Sequence, residues 1–206
     1  MRNPNKPRES RPMRKSVLIL ISLLFAFNLS ACNRAPQPRE LKSEAGRFSV
    51  MTPTPLEEMV QSLETQGDKI ELHIFSGQRE DTGYFVSYWD YPPGLIHADR
   101  MEKMLDASRD GSVAKVSGRL IREGKLTLMG NPGREMVIET GGQTGPEARR
   151  LQGRLFIVGN RMYQIMVVTP KDQKSRPEPE AFLQSLKLPG GQAPVERASP
   201  PVEKRD

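Results

Sequence analysis

Between Phe48 and Val168 apolar residues recur at every second position in short runs, and Gly, Pro or Gly-Asx pairs stop most of these runs. A period of two specifies strands joined by tight turns. Phe48-Ser49-Val50 opens the series and is stopped by Pro53 and Pro55. Lys69–Phe75 puts Ile70, Leu72 and Ile74 on one side after a Gly67-Asp68 turn, and Tyr84–Tyr91 is aromatic and β-branched up to Pro92-Pro93. Further strands are expected near 114–121, 125–129 and 134–140, with Gly130-Asn131-Pro132-Gly133 between the last two. The clearest hairpin is 154–158, Gly159-Asn160, 161–168. Leu56–Thr65 reads both ways: Met59, Val60 and Leu63 fit a helix stripe, and the same stretch fits a strand.

Two helices interrupt the strands. Met101, Met104 and Leu105 fall at i, i+3 and i+4, with Gly111 as the expected left-handed stop. A second runs from Pro177 to Leu186, with Phe182, Leu183 and Leu186 on one face. The expected class is α+β: an antiparallel β-sheet with helices packed on it.

The N-terminus obeys different rules. Residues 1–31 carry +5 of the net charge of +6, so the domain itself is near neutral and offers no electrostatic footprint for nucleic acid. After Lys15 the apolar run Val17–Leu29 holds 13 residues, too few for the roughly 20 that span a bilayer, and small residues follow it. That order is a secretory signal. Leu29-Ser30-Ala31-Cys32 resembles the lipobox of bacterial lipoproteins, and Cys32 is the only cysteine in the chain. The resemblance implies cleavage before Cys32, a diacylglyceryl group on its sulfur and acyl chains that hold the protein to a membrane. Asn33 stands where an Asp would retain a proteobacterial lipoprotein at the inner membrane, which points to the outer membrane, facing the periplasm.

The expected organisation is therefore a signal peptide at 1–31, lipidated Cys32 with a flexible tether at 32–46, a domain at 47–188 and a disordered tail at 189–206. Within 45–188 the element order resembles the PsbP-like fold, an α/β sandwich. The residues that carry the likeness are Gly46-Arg47-Phe48-Ser49-Val50 with Pro53, the helix after Tyr91-Pro92, Arg161-Met162-Tyr163-Gln164, and Phe182-Leu183-Gln184-Ser185-Leu186. The chain lacks the Trp of the photosystem protein near the opening strand. The resemblance implies the fold and an accessory or assembly role, and carries over no site residues.

Candidate chemistry is sparse. His73 and His97 are 24 residues apart with no cysteine to join them at a metal, so no metal site is expected. There is no G-x-S-x-G elbow, H-E-x-x-H or P-loop. Neither catalysis nor a cofactor is expected. Tyr84–Tyr91 is the one notable stretch: Phe85, Trp89 and Tyr91 share a face and are the candidate binding residues, against the plainer reading of a strand buried on both sides. Arg149–Arg154 reads as a solvated loop, with contact to lipid head groups the sharper alternative.

Together these features predict a non-catalytic, lipid-anchored envelope domain whose partners are the membrane, through Cys32, and an envelope protein. The competing prediction is a binding module for a small apolar ligand or lipid between sheet and helices, marked by exposed Met101 and Met104 or by Trp89 lining a cavity. The anchor has a direct check: intact mass of membrane-extracted protein should equal residues 32–206 plus lipid. A soluble product retaining unmodified Cys32 would refute it.

Overall fold

A computed structural model describes residues 37–65, 68–141, 147–173, 176–190, 195–197 and 202–203. The chain divides into units Met1–Gln37 and Pro38–Asp206, and the described fold belongs to the second. The signal, the cleavage site and Cys32 lie outside the described residues.

Eleven strands and two helices are described. In chain order they are β1 (Arg39–Ser43), β2 (Phe48–Thr52), β3 (Glu57–Thr65), β4 (Asp68–Arg79), β5 (Thr82–Asp90), α1 (Met101–Lys115), β6 (Arg119–Leu128), β7 (Asn131–Thr140), β8 (Arg149–Val158), β9 (Arg161–Pro170), α2 (Pro177–Gln184), β10 (Val195–Arg197) and β11 (Val202–Glu203). β1 and β2 form a hairpin. The other nine strands make one sheet in the order β10-β6-β7-β8-β9-β5-β4-β3, with β11 also on β6. Every pairing is antiparallel. The fold is α+β, an antiparallel sheet with helices packed on it.

Because side chains alternate across a strand, the central strands feed two cores. Tyr84, Val86 and Tyr88 of β5 and Tyr163, Ile165 and Val167 of β9 point to one face, where β2 and α2 cover them with Phe48, Val50, Phe182 and Leu183. Leu151, Leu155 and Ile157 of β8 and Met136 and Ile138 of β7 point to the other, under Leu105 of α1. Arg161 closes the first face: it donates to Asp90 through Nε (2.7 Å) and Nη2 (2.5 Å) and to the Ala45 carbonyl (2.7 Å). The Tyr163 hydroxyl donates to the Gly46 carbonyl at 2.8 Å, so the β1–β2 hairpin is tied to β9 twice.

Several elements differ from the sequence reading. The ambiguous stretch is strand β3, paired with β4 from Glu57↔Ser76 to Thr65↔Asp68, so ladder pairing overrides its partial helix stripe. Gly111 does not stop α1. The helix runs on to Lys115 and ends where Gly118 N–H reaches the Val113 carbonyl and Ser117 N–H reaches that of Ala114, both at 3.0 Å, with Ser117 at φ 48°. This Schellman closure accepts a serine in the left-handed position. The strand expected over 114–121 is therefore the helix end followed by the start of β6. The turn between β6 and β7 is Met129-Gly130, both at positive φ as a type I′ turn requires, and Asn131-Pro132-Gly133 already lies in β7. Residues 39–43, read as tether, pair in full with β2. Two short pieces of the tail expected to be disordered pair with β6.

Gly133 shows how closely β7 and β8 approach. A Cβ there would lie 2.5 Å from the Phe156 ring and 2.6 Å from the Leu155 carbonyl oxygen. Gly133→Ala is therefore expected to destabilise the domain by about 1–3 kcal/mol, as overpacking does. The check is the urea midpoint, which should fall with the m-value unchanged.

Candidate functional site

Only part of the second sheet face is covered by α1. The helix lies over β7 and β8, and charge fixes it there. The buried Arg134 guanidinium donates from Nε (3.0 Å) and Nη2 (2.9 Å) to Asp106 and from Nη2 (2.7 Å) to Glu102. Lys125 adds a 2.9 Å contact to Glu102, and Arg109 joins Asp106 to Glu123 of β6. The hydrogen bond from Arg134, then that from Lys125, holds the Glu102 carboxyl below its ordinary value.

Beyond the helix, β9, β5, β4 and β3 form an open floor. Registry sets its rows: Leu155, Gln164, Ser87, Ile74 and Met59 lie side by side across five strands. Gly153, Met166, Phe85 and Ser76 make the next row. Trp89 and Leu72 lie beyond, and α1 supplies one wall with Ser108, Gly111, Ser112 and Lys115. The floor and that wall enclose a cleft of about 600 Å³.

The cleft is apolar with one polar crossing. Ser87 Oγ donates to Gln164 Oε1 and Gln164 Nε2 to Ser112 Oγ, each at 3.4 Å, joining sheet to helix. Bonds of that length are weak. Ser112 also donates to the Ser108 carbonyl at 2.8 Å. Lys115 is the single charged side chain in the lining. A second hollow, about 260 Å³, is walled by Arg79, Glu80, Arg176 and Glu178. There Arg176 and Glu80 pair at 2.6 Å and partly neutralise it.

Of the residues singled out from sequence, Phe85 and Trp89 are half-buried in the cleft. Tyr91 is not in the lining; its ring packs edge-on to Trp89, with centroids 6.2 Å apart. The two readings of this strand each hold for one face, since Tyr84, Val86 and Tyr88 are buried opposite. His73 is on that opposite face, stacked on Tyr88 at 4.5 Å with Nδ1 2.9 Å from Glu58. His97 offers its carbonyl to the Arg100 N–H just before α1. Among the described residues no three His, Cys, Asp or Glu side chains gather closely enough to hold a metal ion.

Arg149–Arg154 is not a loop but the first half of β8. Arg150 pairs with Glu139 at 2.9 Å. Buried Arg154 donates to Glu180 (2.8 Å) and the Leu183 carbonyl (3.0 Å), anchoring α2. Sequence reasoning missed Met59, Ser112, Lys115, Gln164 and Met166 as cleft residues. Alternation already placed Gln164, Met166 and Val168 on one face, but not which strands flank it.

No family model matches the chain, and no curated protein does. Among solved structures it is similar to the solution structure of cyanobacterial PsbP (CyanoP) from Synechocystis sp. PCC 6803. The identity is 10% and the TM-score 0.46, over 78% of this chain and 98% of that one. A crystal structure from Bacteroides thetaiotaomicron VPI-5482 is similar at 16% identity and TM-score 0.38, over 78% of this chain and 52% of that one. Neither likeness bears on what the cleft holds.

The ion pairs give the domain an acid limit. Hydrogen bonds from Arg161 hold the Asp90 carboxyl below 3.8, and those from Arg134 and Lys125 hold Glu102 below 4.5. Lys171, then Arg150, lowers Glu139 in the same way. For depressed carboxylates the stabilisation is complete above their ordinary values and is lost as pH falls through the folded ones. Denaturation midpoints should therefore hold steady down to about pH 4.5 and fall progressively below it. Glu102→Gln should lower the midpoint near neutral pH and make the acid fall shallower.

Proposed function

We propose that this protein is a lipid-anchored envelope module that binds a small, largely apolar molecule in the cleft between α1 and the β9-β5-β4-β3 half of the sheet, without a catalytic step. The observation that carries the reading is Trp89 and Phe85 half-buried in the floor of a cleft of about 600 Å³. That volume lies within the range of small-molecule sites, which are mostly apolar with a few placed polar groups. Two of the serines facing the cleft, Ser87 and Ser112, hold amide or backbone partners instead of a base, which supports binding over nucleophilic chemistry.

Anchoring rests on the lipobox-like 29–32 and the short apolar run before it. Six residues lie between Cys32 and Arg39, so the seven steps of chain span at most about 25 Å at full extension. A domain held that close to a bilayer can exchange apolar cargo with it. A second reading, docking of an envelope protein on β3, is favoured by that edge strand, where Met59 and Val60 are each 49% exposed. Cross-linking from β3 in intact cells separates the two.

Gly111 supplies the test. It lines the cleft from mid-helix, and a Cβ built on it meets nothing within 4 Å. Gly111→Leu should fill the space while raising helix stability by about 1 kcal/mol. Native mass spectrometry of the purified protein is expected to show bound lipid-like mass in the parent and none in the variant, with the melting temperature held or raised. Equal occupancy in both, or none in the parent, would overturn the reading.

A further inference from the structure

We propose that the occupant is a single-chain amphiphile with an anionic head, the head at Lys115 and the chain laid along β5 toward Trp89. This rests on the cleft being a ligand site and adds the ligand's chemical class and orientation. Lys115 is the one charged side chain in an otherwise neutral lining, and it is exposed at the C-terminal end of α1. It makes no ion pair among the described residues, whereas Lys125, Lys171, Arg109, Arg134 and Arg161 each hold a carboxylate. A free cation at the lip of an apolar cleft is complementary to one negative group carried on an apolar body. It is not complementary to a neutral hydrocarbon.

Registry gives the direction. Thr140 Oγ1 donates to the Val116 carbonyl at 3.0 Å, which sets the Lys115 end of α1 beside the end of β7. There Leu151 opposes Val168, and Val168 opposes Gly83. Trp89 is six residues further along β5, on the order of 20 Å away at strand rise. The helix end and the indole thus mark the two ends of one trough.

The polar crossing falls between the two ends, with Ser87 four residues from Gly83 and two from Trp89 along β5. Ser112 precedes Lys115 by three residues and shares its helix face. Its link to Gln164 is long enough to be exchanged for a bond to a head-group oxygen. Leu151, Val168, Met166 and Phe85 line the trough on the Lys115 side of that crossing, and Leu72 and Trp89 line it beyond, so apart from the crossing a chain meets mostly carbon.

A carboxylate of a free fatty acid and the phosphate of a one-chain phospholipid share this chemistry. The test uses the mature chain carrying Cys32→Ala, to exclude its own lipid, titrated with laurate, lauroyl lysophosphatidate or dodecanol. Trp89, the only tryptophan, reports binding through its emission. One or both anionic ligands should bind on the order of tenfold more tightly than dodecanol. Lys115→Gln should remove that advantage and leave dodecanol binding unchanged. Preference for laurate alone identifies the carboxylate source, and for lysophosphatidate alone the phosphate source. Dodecanol binding as tightly as both, or an anionic preference that survives Lys115→Gln, would overturn this inference and leave the ligand site standing. No binding of any of the three would overturn the ligand site itself.

Discussion

The position of α1 depends on one buried guanidinium. Only Leu105 of the helix is fully buried, so apolar packing alone does not choose where on the sheet it rests. Arg134 does, by reaching Asp106 and Glu102 across from β7. A buried ion pair is weak evidence for net stability, because desolvation offsets much of its attraction. Breaking one partner, however, leaves a charge stranded, so the arrangement tolerates little sliding. The charged pairs hold the N-terminal half of the helix to β7 and β6, and the rest of the sheet face stays open.

The opposite face is finished differently. There β2, α2 and Arg161 seal it with aromatic edges, Phe48 lying 5.5 Å from Phe75 and Tyr84 5.2 Å from Phe182. The Arg161 guanidinium sits 4.5 Å above the Tyr88 ring while its fork holds Asp90, so charge and ring together cap the rim. One face is thus a closed core and the other a core over β7 and β8 that gives way to a cleft over β5 and β4. The same strand serves both, with Tyr84, Val86 and Tyr88 inward on one side and Phe85, Ser87 and Trp89 in the cleft on the other.

Local rules made much of this legible in the sequence. Period two and the Gly159-Asn160 pair place the β8–β9 hairpin, and Gly159 alone of that pair takes positive φ. The α+β class follows from the same punctuation. What local rules miss is set by distant partners. β3 is a strand because β4 lies beside it along nine positions. The arginines of 149–154 look solvated until Glu139 and Glu180 arrive from β7 and α2. Phe85 and Trp89 were recognisable as one face of an aromatic strand, yet Lys115 was not recognisable as part of the same cleft, since only the docking of α1 brings it there.

Gly111 sets how far the α1 wall reaches into the cleft. A glycine inside a helix costs about 1 kcal/mol against alanine. In strand β7, Gly133 is required by the close approach of β8. At Gly111 nothing lies within 4 Å of a Cβ, and two neighbouring wall residues, Ser108 one turn before it and Ser112 next in sequence, are small as well. A larger apolar side chain there would close the space, lengthen the core beneath α1 and stabilise the helix together. Stability alone would select such a residue. Under the proposed ligand reading, the glycine in the wall facing Trp89 and Phe85 leaves that room open at a cost in helix stability.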